Sequence, residues 1–158
     1  SFAHNLILKI IRQEVVMRVS KVLLLLAAAF MLITAQAWAG EKVKVVYHFN
    51  SDDQKIHKAG LINIQNHLDA EEGNVEIIAV AHGLGLTMFQ EGKTDPDNLL
   101  RIKNLRKQGV KFGICAVTMQ RQKIDIKDLK ECSTEDIVKS GVAEIARLQN
   151  KGYAYIKP

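Results

Sequence analysis

The chain has 158 residues, of which 47% are hydrophobic, 25% charged and 6% aromatic, a globular composition that excludes disordered and collagen-like chains. The length fits one domain, and two cysteines are too few for a small disulfide framework. Lys and Arg outnumber Asp and Glu by 22 to 17, a formal net charge of +5.

Residues 17–39 read as a secretory signal peptide. Arg18 and Lys21 precede an apolar run from Val22 to Ile33, and Ala37, Trp38 and Ala39 follow as a small-x-small cleavage site. The run is shorter than the roughly 20 apolar residues that a membrane span requires. Met17 stands where an initiator belongs, so residues 1–16 read as an upstream extension and Gly40 as the mature start. Without residues 1–39 the basic and acidic totals become 18 and 16, and the net charge falls to +2. That balance removes the electrostatic footprint of a nucleic-acid binder. With no second long apolar stretch, residues 40–158 are expected to form one periplasmic or secreted domain that leaves the membrane once the leader is cut.

The mature chain alternates strand and helix patterns. Val43 to Phe49 is β-branched and aromatic, a strand. Asn50 to Asp53 supply turn and cap residues for a helix over 54–69, with Ile56, Gly60, Ile64 and Leu68 on one face beside Ala59 and Leu61. His57 and His67 on this helix are expected to face solvent. Val75 to Ala81 is a nearly continuous apolar run, as in a parallel strand covered on both faces. Leu84, Met88 and Phe89 indicate a short helix ending at Gly92. A further helix follows, with Asp97 as cap, Leu99, Ile102 and Leu105 as its stripe, and Gly109 as its stop. Val110 to Cys115 is the third strand, followed by a helical or turn segment through Lys130. A short fourth strand near Cys132 competes with a helical turn over 133–136. Ser140 caps a helix carrying Val142, Ile145 and Leu148, Gly152 ends it, and residues 153–156 form the last strand. This alternation predicts a three-layer α/β/α domain on a mostly parallel sheet of about five strands.

In such a sheet, ligands sit beyond the carboxyl ends of the strands. His48 and Asn50, His82 and Gly83, and Cys115 all fall there. Cys115 stands where a strand hands over to a helix start, whose unpaired N–H groups lower a thiol pKa. Arg121 and Lys123 add positive charge nearby. The competing reading is a buried structural cysteine. Cys132 can pair with Cys115, resolve an intermediate on it, or never meet it. His48, His82 and Cys115 are metal-competent residue types, but they lack the close spacing of a ligand motif. Gly83-Leu84-Gly85 falls short of a nucleotide loop, since Met88 stands where the third glycine belongs. The basic cluster from Arg101 to Lys111 has one interleaved aromatic, Phe112, and reads as a solvated face.

Val45 to His48, Ala81 to Gly83, Gly109 to Cys115, Ser140 to Gln149 and the ending Gly152 to Pro158 resemble the DsrE/DsrF-like sulfur-relay family, in its small exported branch. The resemblance runs from Lys42 to Pro158. It implies a five-stranded parallel sheet and a persulfide carried on Cys115, with Asn50, His82 and Gly83 placed to bind the sulfur compound. It also implies homo-oligomers, trimers or larger, with sulfur donors and acceptors as partners. It implies no cofactor and no resident metal. Cys132 matches no family position. The alternative is a non-catalytic oligomer of the same fold that holds a small ligand or a metal.

Overall fold

The computed structural model describes residues 12–14, 16–23 and 42–158. The chain divides into two units, residues 1–41 and 42–158. In the first, 12–14 and 16–23 are helical and exposed. Most of the apolar run and the Ala37–Ala39 motif lie outside the described residues. Among the described residues, no helix is long and apolar enough to cross a membrane.

The second unit is built on five parallel strands: β1 (Val43–Phe49), β2 (Val75–Ala81), β3 (Lys111–Cys115), β4 (Ile137–Val138) and β5 (Ala154–Ile156), in the order β4-β3-β2-β1-β5. The helices are α1 (Gln54–Ala70), α2 (Pro96–Lys107), α3 (Ala116–Gln122) and α4 (Gly141–Asn150), with 3-10 segments at Gly83–Phe89, Ile126–Asp128 and Thr134–Asp136. The expected three-layer parallel fold is the one observed, and the fourth strand follows the 3-10 turn at Thr134–Asp136.

Strand alternation sorts the side chains onto two faces. Val45, Tyr47, Phe49, Ile77, Ala79, Ala81, Phe112 and Ile114 pack with Leu61, Ile64 and Leu68 of α1 and Ile102 and Leu105 of α2. Leu86, Met88 and Phe89 of the first 3-10 segment join this larger core. The opposite face is smaller. Val46 and Val80 meet Ile145 and Leu148 of α4 and Tyr153. His48, His82 and Cys115 belong to this second face by alternation, so α4 covers them.

Several local expectations are corrected. The cap of α2 is Asp95, whose carboxylate accepts from the Asp97 N–H at 3.0 Å, because Pro96 occupies the first helical position. Asp97 lies inside the first turn. The helical or turn segment after Cys115 resolves into α3, which ends at Gln122 where Lys123 takes a left-handed φ of 53°, and the 3-10 segment at Ile126–Asp128. On α1 the buried stripe holds Gly60, Leu61, Ile64 and Leu68 as expected and differs at its start. His57 is fully buried, Ile56 is half-buried and Ala59 is exposed. His57 Nε2 bonds the Ser51 carbonyl at 2.6 Å, which ties the helix start to the loop after β1. His67 is half-buried, with Nδ1 3.1 Å from the Tyr47 hydroxyl. Neither histidine faces solvent freely, because each satisfies a polar group that burial would otherwise strand.

Gly60 sets the distance between α1 and the sheet. A Cβ there would lie 2.5 Å from a ring carbon of Phe49 and 2.8 Å from Pro158 Cγ. Phe49 is itself buried and has nowhere to retreat. Gly60→Ala gains about 1 kcal/mol of helix propensity and loses about 1–3 kcal/mol to overpacking. Urea denaturation is expected to give a net destabilisation of about 1 kcal/mol. A stabilised variant would show that the ring yields.

Candidate functional site

Strand register carries the candidate residues to one rim. Phe49 pairs with Ala81, Ala81 with Ile114, and Cys115 with Val138. Asn50, His82 and Cys115 therefore stand in a row where β1, β2 and β3 end. Over this row sits the first residue of α4. A Cβ on Gly141 would lie 2.8 Å from His82 Cβ and 3.3 Å from Cys115 Cβ. Only a residue without a side chain lets the α4 backbone approach both.

Cys115 is also the residue from which α3 departs. Its residue is only 4% exposed. Burial pushes the thiol pKa up. The Thr118 hydroxyl and the backbone N–H groups of Gly141, Thr118 and Val117 more than offset that, and the pKa lies below the ordinary thiol value. These donors act as a shell that favours the thiolate, and bonds to a charged acceptor are the stronger kind. Arg121 and Lys123 are exposed and are not among the groups that lower it. The Thr118 hydroxyl is held in turn by the Gly83 N–H, which donates to it at 2.9 Å. The Gly83 carbonyl accepts from Gln122 Nε2 at 3.1 Å. Gly83 thus braces α3 beside the sulfur, with a φ of 56° that favours glycine.

The two rim histidines bond to each other. His48 Nε2 and His82 Nε2 are 2.6 Å apart, with their rings stacked at 4.7 Å. His48 Nδ1 is 2.6 Å from the Tyr155 hydroxyl on β5. Burial, with the charges of His82 and Lys157, lowers the His48 pKa to about 4. Burial and Lys157 also lower that of His82. Both rings are therefore neutral near pH 7, and the sulfur is stabilised by amides and a hydroxyl rather than by an imidazolium. The 2.6 Å separation is too short for the pair to share a tetrahedral zinc ion, whose ligand nitrogens sit about 3.3 Å apart. Among the described residues, no group of three or more His, Cys, Asp or Glu is set to hold a metal ion.

Asn50 is half-buried at the same rim but takes no part in the His48–His82–Tyr155 chain. Its backbone N–H lies 3.0 Å from where a Cβ on Gly85 would stand. Cys132 is not brought into the site. It packs against the larger core, burial raises its pKa to about 12, and both cysteines are free thiols. Sequence reasoning missed Thr118, Gly141 and Tyr155. The signals were a hydroxyl three residues after the cysteine, a glycine directly after a helix cap, and an aromatic at the inward register of the last strand.

A model of the DsrE/DsrF-like family matches residues 26–158. Among solved structures, the chain is similar to the protein of unknown function MTH1491 from Methanobacterium thermoautotrophicum. The two share 33% identity with a TM-score of 0.66, over 73% of this chain and 99% of that one. It is also similar to the ychN protein from E. coli, at 14% identity and a TM-score of 0.55, again over 73% of this chain and 99% of that one. The second likeness is one of fold. Comparison with curated proteins finds no match.

Two predictions follow from this geometry. Thr118→Val removes a donor to the sulfur and leaves the Gly83 N–H unpaired, at about 1–3 kcal/mol. Iodoacetamide labelling against pH is expected to show a Cys115 midpoint below that of a free thiol, moved upward in the variant. An unchanged midpoint would mean the hydroxyl does not act on the sulfur. The second concerns His48, whose native pKa is lowered from 6.5 to about 4. Above 6.5 neither the native nor the unfolded ring binds a proton. As pH falls toward 4 the unfolded ring binds one first, so native stability declines across that window and the loss is complete below it. The stability gap between the wild type and His48→Gln is expected to shrink from pH 7.5 to pH 4.5 in denaturant titrations. A constant gap would contradict the lowered pKa.

Proposed function

The chain belongs to the DsrE/DsrF-like family, and we propose that it is an exported sulfur carrier that holds sulfane sulfur as a persulfide on Cys115. The observation that carries this reading is the place of Cys115, at the end of β3 and the start of α3 with Gly141 against it, where Thr118 and the backbone of Val117, Thr118 and Gly141 lower its pKa. The thiolate is the nucleophile in sulfur exchange. Cys115–S⁻ attacks the terminal sulfur of a donor persulfide R–S–SH. The Cys115–S bond to that sulfur forms, the donor S–S bond breaks, and R–S⁻ leaves and takes a proton. Oxidation state is conserved, because the sulfane sulfur only changes its thiol. Passage to an acceptor thiolate repeats the step in reverse. A neutral His82 suits this chemistry, since it leaves the thiolate unpaired with a cation and free to attack.

Export rests on the leader-like pattern of residues 17–39, and in an oxidising compartment the donor persulfide and the acceptor thiol belong to dedicated partners rather than to a free thiol pool. Homo-oligomeric assembly is part of the same reading. Leu84, Val117 and Val142, each exposed, belong to the segments that meet at the rim and offer apolar area for a neighbouring subunit.

The test is mass spectrometry of the reduced protein after incubation with a polysulfide. The expected result is a gain of one sulfur atom localised to the peptide holding Cys115. It is lost in Cys115→Ser, retained in Cys132→Ser and removed by a dithiol. Absence of the adduct with every sulfane donor tried would overturn the reading.

A further inference from the structure

Cys115 combines two properties that pull against each other. Its ionised form is favoured, yet its residue is only 4% exposed. Thiolate attack on another sulfur depends on access to the attacking atom, and a residue so covered leaves a donor almost no open approach. What stands over it is a single turn of backbone. A Cβ on Gly141 would lie 3.3 Å from Cys115 Cβ and 2.8 Å from His82 Cβ, so the first residue of α4 rests directly on both strand ends.

That turn is weakly anchored. The buried residues of α4 are Gly141, Ile145 and Leu148. Between the first two, Val142 and Ala143 are exposed, and Glu144 is half-buried and bonded to Arg147 of the same helix. The turn therefore buries no apolar side chain. Ser140, the residue before it, makes no side-chain cap bond to the free N–H groups. What closes the turn is the Glu144 N–H, which donates to the Ser140 carbonyl at 2.9 Å, together with the seat of Gly141 on the strand ends. Beyond it the packing changes, because Ile145 and Leu148 are buried with Val46 and Val80 and hold the rest of α4 on the sheet. Few buried apolar contacts mark a segment that opens at far less cost than global unfolding.

We propose that residues 140–144 form a lid over Cys115, hinged at Ile145, and that the sulfur reacts only from the minor state in which this turn is lifted while the rest of α4 stays docked. Lifting carries the Gly141 N–H away from the sulfur, whereas the Thr118 hydroxyl and the Val117 and Thr118 N–H groups stay with α3. The covered state thus holds the thiolate best, and the lifted state exposes it. The rate of any reaction at Cys115 is then its intrinsic rate multiplied by the lifted fraction. As a control on sulfur uptake, the lid rests on the sulfur-carrier reading: it shields the thiolate from oxidation between transfers in an oxidising compartment. The lifting itself does not rest on that reading.

The experiment uses the full chain carrying Cys132→Ser, which leaves Cys115 as its one thiol. Iodoacetamide labelling is followed in urea concentrations below the unfolding transition. Corrected for thiolate fraction, the native rate is expected to be about 100-fold below that of the unfolded chain, as local opening implies. It is expected to rise with urea along a slope that is a small fraction of the slope for global unfolding. Hydrogen exchange of the Glu144 N–H is expected to show a matching protection factor. Ala143→Gly, at an exposed position of the lid, is expected to speed labelling about five-fold through lost helix propensity. Ala146→Gly, the same change at an exposed position beyond the hinge, is expected to leave the rate unchanged. Sulfur uptake from a polysulfide is expected to follow the same pattern. Labelling at the full rate of a free thiolate, independent of urea, would overturn the lid. So would a urea slope equal to that of global unfolding, or equal acceleration by both glycine variants. A sulfur adduct on Cys115 that forms at a rate indifferent to Ala143→Gly would overturn the lid and leave the carrier reading standing. The expected labelling pattern with no adduct from any sulfane donor would overturn the carrier reading and support the lid.

Discussion

The absence of one Cβ governs the site. At Gly141 the first turn of α4 comes down onto the ends of β2 and β3 until it touches the Cβ atoms of both His82 and Cys115. A methyl group there would collide with backbone-attached carbons, which cannot swing aside as a side-chain tip can. The approach brings the Gly141 N–H within reach of the sulfur and sets the His82 ring beside it. Remove it, and the thiol keeps the burial that raises its pKa while losing a donor that opposes it. The lowered pKa of Cys115 is thus a property of packing between a helix and a strand end, and not of the cysteine's own segment alone.

This design differs from one that ionises a cysteine with a charged base. An imidazolium beside a thiolate gives a low thiol pKa and a strong ion pair, but the pair must be broken as the sulfur attacks. Here both histidines are held neutral by burial and by Lys157, and His48 has a pKa of about 4. Fixed dipoles stabilise the sulfur and need no reorganisation when charge moves. Burial strips the imidazoles of charge and opposes ionisation of the thiol, and the donors about Cys115 outweigh that opposition.

The fold was legible because its signals are redundant. Val43 to Phe49 and Val75 to Ala81 announce themselves by composition, and their observed ends coincide with the predicted ones. The rim position of Cys115, His82 and Gly83 follows from those ends, so it was legible too. What the sequence hid depends on contacts between distant segments. His57 is a polar residue on an amphipathic helix, and periodicity placed it outside; the Ser51 carbonyl, six residues earlier, satisfies its Nε2 in the buried position. Proline geometry, applied to Pro96, would have moved the cap from Asp97 to Asp95. The signals for Thr118, Gly141 and Tyr155 are weak alone, since the contacts that place them reach Gly83, His82 and His48, each more than twenty residues away.

The two faces of the sheet explain why the site sits where it does. The face toward α1 and α2 is a large, closed apolar core in which a polar cluster would have to be desolvated completely. The face toward α4 is narrower. Val46 and Val80 are its buried strand residues, and one ten-residue helix supplies Ile145 and Leu148 against them. Stability is therefore concentrated on the first face, and the second is left to hold a thiol, two imidazoles and a phenol at its open end. Such a face tolerates half-buried polar groups, because water reaches Tyr155 at the edge while Gly141 shields the sulfur at the centre. The gradient from dry to wet along a single row of strand ends lets the hydrogen-bonded line of Tyr155, His48 and His82 run from the exposed sheet edge to the covered end of β2.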